Sequence, residues 1–386
     1  MKKIEGILYS DNSKVSIEIE NGLIQRIQKI NRFEKEESAN NFIAPALIDN
    51  QINGYLGIEF SLTDLSVENM QMIVAELYKT GVATFLPTVI TGSHNSLLNS
   101  FKNLAEARKD SAVSISVPGF HLEGPYISPE DGYRGAHSLK NVRLPDWGEF
   151  QELNEAADGK IIQVTIAPEV KGAISFIEKC VENDIIIALG HHNANAAEIK
   201  RAVDAGAKTV THLGNGCANS INRFNNPLWM QLAEDRLMSS LILDSFHLLP
   251  ELVKVFYRAK GSQRIILTSD MTMLAGMPAG SYNWDGKEVV LTPEGVIMLP
   301  SQNVFAGASL PLITGVGNMM KFTDCGLQEA INMATINPAN LYGFKNIGSI
   351  EVGKRADLIL FDLEDNKLTI NKTIVAGKIK YSTNVP

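Results

Sequence analysis

Along the middle of the chain, short apolar runs alternate with longer stretches whose apolar positions recur at helical spacing. The apolar runs are "APALIDN", "ATFLPTVI", "SISVPGFHL", "IIQVTIAP", "DIIIALG", "KTVTHL", "SSLILD" and "RIILTSD". Most are continuous rather than alternating, as strands are when both faces are buried in a parallel sheet covered by helices. Between them, "SVENMQMIVAELYKTG", "SLLNSFKNLAEARKD", "VKGAISFIEKCVEND", "NAAEIKRAVDAGA" and "LPELVKVFYRAKG" carry the helical period, and several close on Gly after Lys or Arg, a plausible C-cap. Eight strands, each followed by a helix or long loop over roughly 250 residues, predict an α/β fold of the (β/α)8 TIM-barrel type. A doubly wound open sheet is the rival, but no G-x-G-x-x-G or P-loop follows the first strand.

The two ends read differently. Turn-separated alternating runs in "IEGILYSDNSKVSIEIENGLIQRIQKI" and "RADLILFDLEDNKLTINKTIVAGKIKYS" predict antiparallel strands with one wet face. Residues 1–44 and 345–386 are therefore expected to build one small β-sandwich domain, with the barrel, residues 45–344, inserted between them. The stretch "AGSYNWDGKEVVLTPEGVIMLPS" looks like a hairpin at the barrel mouth. No internal repeat or low-complexity linker stands out.

At 386 residues the chain exceeds the usual limit of a single core, which suits a large barrel with an appendage. Its 45% hydrophobic and 20% charged residues are an ordinary globular composition. A net charge of −8 argues for no nucleic acid and no membrane surface as partner, and leaves room for an anionic small substrate in a local basic pocket. Cys180, Cys217 and Cys325 are odd in number and widely spaced, without CxxC, so reduced thiols and a cytoplasmic location are expected. The start "MKKIEGILYSDNS" turns polar where a signal peptide needs an apolar core, and no run approaches the roughly 18 apolar residues of a membrane span.

Glu123, His191, His212, His247 and Asp270 all fall at or just after the end of a predicted buried strand. In a barrel those ends converge on one face, where active sites are built. Two imidazoles and a carboxylate leave a fourth position open on a catalytic ion, which lowers the pKa of its water from about 15.7 towards about 7. An Asp beside it can take the proton and return it to a leaving amine. Each residue also has a plainer account: a lone His at a strand end is commonly hydrogen-bonded structure, Glu123 could begin a helix, and Asp270 could be an N-cap. His94 sits in a polar turn, and His121 should face the same side as Glu123, as support or as packing. Convergence at one end of the strand pattern favours the functional account.

At these residues the chain resembles the amidohydrolase superfamily, and more narrowly the N-acetylglucosamine-6-phosphate deacetylase family, through "APALIDNQINGYLGIEF", "FHLEGPYIS", "GAHS", "GHHNA", "THLGN", "ILDSFHLLP", "LTSDMT" and "GSIEVGKRADLILFD". The resemblance implies a hydrolase that removes the N-acetyl group of an amino-sugar phosphate, with Glu123, His191 and His212 as metal ligands and Asp270 as general acid/base. It selects His191 over its neighbour His192, which stands where the family carries a small polar residue. It further implies that His137 of "GAHS" helps hold the tetrahedral intermediate and that His247 contacts the sugar or phosphate. Asn215 and Gly216 lie where the family binds phosphate. An arginine on the loop after that strand reaches the neighbouring subunit's site, which implies a homodimer. Arg223 is the candidate for that arginine, and Arg134 in "DGYRGAHS" is a second candidate cation. The chain departs from the family at "THLGNGCANSINRF", where Gly214 and Gly216 replace the usual residues.

Where many amidohydrolases carry His-x-His, the first strand has Gln51 and Asn53, which are poor ligands for a second ion. One divalent metal is therefore expected, zinc first, with iron or another divalent ion compatible with the same ligands. Two other accounts stay open. One is an amidohydrolase acting on a different N-acylated sugar or amide without the 6-phosphate; the other is a barrel that binds without catalysing, whose mark would be a missing ligand or missing Asp.

Overall fold

Eight parallel strands form in the order the apolar runs predict: β1 (Leu47–Ile52), β2 (Val82–Ile90), β3 (Phe120–Glu123), β4 (Ile161–Ile166), β5 (Ile186–Leu189), β6 (Thr209–Val210), β7 (Met238–Ile242) and β8 (Ile265–Thr268). The computed structural model describes residues 2–34, 41–61, 64–284 and 286–383. Each strand pairs with the next in sequence. The ring closes beyond the last pair, where Ile52 bridges Met271, the Asp270 amide donates to the Gln51 carbonyl (3.0 Å) and the Asn53 amide to that of Met271 (2.7 Å).

At least one helix follows each strand: α1 (Val67–Lys79), α2 (His94–Arg108), α3 (Trp147–Ala156), α4 (Ala173–Glu182), α5 (Ala196–Asp204), α6 (Pro227–Ala233), α7 (Pro250–Lys260) and α8 (Leu312–Phe322), with shorter helical segments at Ser111–Ser114, Leu327–Met333 and Ile336–Tyr342. Their starts follow from sequence. Ser66 and Asn195 make reciprocal capping boxes with Asn69 and Glu198, and Asn226 accepts from two amides ahead of Pro227. Gly after the last basic residue of α7 ends that helix, as its C-cap Gly261 at φ 69°.

Several strands are shorter than their apolar runs, and two of them show why. In "SISVPGFHL" the strand begins only at Phe120, because Asp110 caps a helical turn over Ser111–Ser114 and Pro118 has no amide to give a ladder. β6 stops at Val210 because His212 takes a left-handed conformation, φ 32°.

Strands from both termini share one seven-stranded sheet, ordered Lys378–Ser382, Lys367–Val375, Leu358–Glu364, Phe42–Pro45, Lys2–Leu8, Lys14–Glu20 and Leu23–Lys29. Alternation splits its side chains. Ala44, Ile359 and Phe361 join the barrel's core, while Ile43, Leu358 and Leu360 enclose a second core with Ile4, Ile17 and Ile24. The sheet thereby folds over on itself, with Ile24 and Ala356 bonded across its two halves to Lys354 and Gly22. The segment expected as a hairpin over the mouth is larger, a four-stranded antiparallel sheet of Gly280–Trp284, Lys287–Leu291, Val296–Leu299 and Val304–Ala308 with its own small core. Among the described residues no helix is long and apolar enough to cross a membrane.

Candidate active site

The carboxyl ends of the strands surround a cavity of about 980 Å³, roofed on one side by the four-stranded sheet. Glu123 ends β3, His191 follows β5 and Gly190, His212 follows β6, and Asp270 follows β8. His191, His212 and Asp270 all have positive φ, at 53°, 32° and 53°. Such backbone costs about 1–3 kcal/mol per residue and persists where surrounding structure enforces it. Here it turns each side chain inward at the strand end. Gly216, itself at φ 60°, makes this possible nearby, because a Cβ there would lie 2.9 Å from His191 Nδ1.

His212 Nε2 stands 3.1 Å from Glu123 Oε1 and 3.1 Å from His191 Nε2, and the third edge, His191 to Glu123, is 3.3 Å. All three side chains are buried. His191 Nδ1 is 3.0 Å from the Tyr133 carbonyl, which can only accept, so Nδ1 carries the proton and Nε2 presents its lone pair to the centre. A tetrahedral ion with bonds of about 2.0–2.1 Å separates its ligands by about 3.3 Å, so this triangle fits one divalent cation. The electrostatics agree. Burial is the largest influence on Glu123 and would raise its pKa, yet the hydrogen bonds and charge of His191 and His212 hold it well below the usual range. Burial likewise disfavours charge on His212, and Glu123 outweighs it, so that pKa is raised. The cluster attracts positive charge to its middle.

Asp270 stands beside this triangle, joined to it through Gln51. Its Oδ1 accepts from Gln51 Nε2 (2.9 Å) and Asn53 Nδ2 (2.6 Å), and the same Gln51 Nε2 also donates to Glu123 Oε1 (2.9 Å). Burial first, then the charge of Glu123, push the Asp270 carboxyl above the usual carboxylate range, the direction a proton-transferring group needs.

His137 packs its ring on that of His191, centroids 4.4 Å apart, and its Nδ1 is 2.8 Å from Thr91 Oγ1. The Thr91 hydroxyl's other acceptor, the Glu123 carbonyl, is at 3.5 Å, so its hydrogen goes to Nδ1 and Nε2–H of His137 faces the cavity. Burial, then His191, lower the His137 pKa to about 3, so the ring is a neutral donor. His247 is oriented by Asp244, whose Oδ2 accepts from Nδ1 (2.7 Å) while Oδ1 accepts the amides of Phe246 and His247. Its ring rests on Phe305 of the roof, centroids 4.8 Å apart.

Of the sequence-predicted residues, Glu123, His137, His191, His212, Asn215, Gly216, His247 and Asp270 come together around this cavity. The two arginines do not. Arg134 turns back along its own loop, donating to the His137 carbonyl (2.8 Å) and pairing with Asp131, so it braces the segment that carries His137. Arg223 is exposed, its guanidinium 4.4 Å over the Phe224 ring. The cations that line the cavity among the described residues are instead Lys140 and Lys287, both missed in the sequence; Lys287 was traceable only as part of the expected hairpin over the mouth. His192 points away and is buried, with Nδ1 accepting the Ala194 amide. His121 sits below the cavity between Thr88 and Thr165, and His94 opens α2 beside Glu149 and Glu152.

The amidohydrolase family model matches residues 42–380. The chain is 32% identical over 352 residues to N-acetylglucosamine-6-phosphate deacetylase of Bacillus subtilis, spanning 90% of this chain and 87% of that protein. It is 28% identical over 347 residues to N-acetylgalactosamine-6-phosphate deacetylase of Escherichia coli O157:H7, spanning 90% of each. The crystal structure of N-acetylglucosamine-6-phosphate deacetylase from Thermotoga maritima superposes with a TM-score of 0.87 at 28% identity, covering 99% of this chain and 100% of that one.

Proposed function

The chain belongs to the amidohydrolase family, and on that footing we propose that it hydrolyses the N-acetyl group of N-acetylglucosamine-6-phosphate to glucosamine-6-phosphate and acetate. The observation that carries this is the meeting of Glu123, His191 and His212 with Asp270 in one cavity, in a chain that matches named deacetylases over nine-tenths of its length.

Glu123, His191 and His212 would hold the ion, and two imidazole nitrogens with one carboxylate oxygen suit zinc. When bound, a divalent ion there supplies Lewis acidity and brings the pKa of a water from about 15.7 towards about 7. The chain's own residues do the rest. Asp270 accepts the proton of the attacking water and passes it to the departing nitrogen, so that it ends as it began. His137 donates Nε2–H to the carbonyl oxygen as charge develops there, where a fixed donor is worth about 3 kcal/mol. His247, locked by Asp244, presents Nε2 to a sugar hydroxyl, and Asn215 and Gly216 offer donors to the phosphate. Exposed Arg223, with Phe224 and Trp229 also exposed beside it, supports a homodimer in which the arginine serves a second copy. The cysteines form no disulfide among the described residues, which supports a reducing, cytoplasmic setting.

A second reading keeps the chemistry and changes the sugar, since a relative matched over 90% of both chains is named for the galactosamine epimer. Acetate release from N-acetylglucosamine-6-phosphate, N-acetylgalactosamine-6-phosphate and unphosphorylated N-acetylglucosamine, side by side on zinc-loaded protein, separates the readings. Preference for the first supports the proposal, and preference for the second moves it to the epimer. Equal turnover of the unphosphorylated sugar removes the phosphate from the assignment.

A further inference from the structure

We propose that Gln51 and Asn53 are positioning residues that commit one oxygen of Asp270, Oδ1, to accepting hydrogen bonds and so leave Oδ2 as the atom that carries the proton during hydrolysis. The inference rests on the deacetylase reading for its reaction and on three distances for its geometry. Gln51 Nε2 is 2.9 Å from Asp270 Oδ1 and 2.9 Å from Glu123 Oε1. Only the nitrogen end of an amide can face two carboxylates, which fixes the orientation of Gln51 without seeing its hydrogens. Asn53 Nδ2 adds a second bond to the same Oδ1 at 2.6 Å, and by the same rule must point its nitrogen there.

Three further observations support a dedicated arrangement. The main chain welds these residues together, with Asp270 N–H on the Gln51 carbonyl and Asn53 N–H on that of Met271, so the amides and the carboxylate cannot drift apart. Asp270 has left-handed backbone, which aims its side chain back at β1. Asn53 Oδ1 is buried with no partner. An unpaired buried acceptor costs about 1–3 kcal/mol, so Asn53 gives up stability in the pose that serves Asp270.

The consequence for the reaction is atomic. An oxygen that already accepts two N–H bonds is a poor place for a proton, whereas Oδ2 has neither. As the water oxygen bonds to the acetyl carbon, Oδ2 takes one proton from it; as the C–N bond breaks, Oδ2 returns that proton to the nitrogen, giving the amine, acetic acid and the original carboxylate, and the acid's own proton then passes to the amine or to solvent.

Gln51→Met and Asn53→Leu remove the donors at similar volume, and Asn53→Ser keeps a hydroxyl donor. Wild-type acetate release from an N-acetyl hexosamine 6-phosphate comes first; if there is none, the deacetylase reading fails and not this one. Given wild-type turnover, we expect kcat to fall at least ten-fold in Gln51→Met and Asn53→Leu with KM within two-fold, and less in Asn53→Ser. Metal per chain, measured by elemental analysis, should match wild type in both Asn53 variants; Gln51 also donates to Glu123, so kcat of Gln51→Met is compared at equal metal content. Combined with Asp270→Asn, Asn53→Leu should not lower the residual rate further, since the Asn53 side chain reaches the site through that carboxylate alone. Unchanged kcat, or losses that multiply in the Asp270→Asn background, would overturn the proposal and leave the amides as packing. Should Asn53→Leu fail to fold, Asn53→Ser carries the same cycle.

Discussion

Two histidines stand side by side after β5, and their surroundings give them different work. His191 has Nδ1 occupied by the Tyr133 carbonyl and Nε2 among the ligand atoms, while His192 is turned out of the cavity with Nδ1 on the Ala194 amide. His191→Ala should therefore lose its metal on dialysis, and His192→Ala should keep it; elemental analysis of both proteins decides, and equal loss would contradict the assignment. Asp270 is a separate case, because it is absent from the ligand triangle. Asp270→Asn keeps the volume and both amide partners nearby yet cannot carry a proton, so it should retain metal and lose about two orders of magnitude or more in kcat. Near-wild-type turnover would remove Asp270 from the acid/base role. All of these residue types were legible in the sequence because each follows an apolar run directly. Gln51 and Asn53 were legible only as non-ligands, since nothing local shows which carboxylates an amide will reach.

Loops at the strand ends must be pinned to one another for such residues to hold their places. Glu169, on the loop after β4, does this for the loop after β5, accepting the Asn193 amide at 2.7 Å. Burial is the main cause that pushes its carboxyl up to about 7. The folded protein thus holds a proton that the unfolded chain releases near pH 4.3, about the model-peptide value for Glu. The stability this group contributes is fully present below that pH and is lost as pH rises through about 7. Glu169→Gln cannot ionise, so its melting temperature relative to wild type should climb between pH 5 and pH 8; a flat difference would refute the linkage. At the far end of α6, buried Lys260 donates to the carbonyls of Gln231 and Glu234 at 3.0 and 2.8 Å, tying α7 to the end of that helix. Lys260→Met should lower stability by about 1–3 kcal/mol in denaturant unfolding, because two carbonyls lose their donor.

For the molecule as a whole, the ion and the fold should be linked. The candidate ligands stand at or just past the ends of β3, β5 and β6, so a cation that binds only their folded arrangement would stabilise the barrel, by about 2.7 kcal/mol at a hundred times its Kd. Chelation should lower the melting temperature reversibly, with recovery on adding zinc. An unchanged melting temperature after verified metal removal would argue against a site at this triangle. The terminal sheet shares the barrel's core through Ile359 and Phe361, which makes separate melting of the two units an unexpected result.

The barrel was readable in the chain because a strand buried on both faces has to be a continuous apolar run, and that is a local constraint. The face that carries the cavity was readable for the same reason: polar residues that end such runs have one place to go. Which cation reaches the cavity was not readable. Arg134 folds back on its own loop and Arg223 stays outside, whereas Lys140 and Lys287 arrive from a loop and from the roof. The path of a loop depends on distant partners, as Trp284 of the roof shows by donating to Glu59 beyond β1. Long side chains can point several ways from one backbone, so their direction is set by contacts that exist only once the chain has folded.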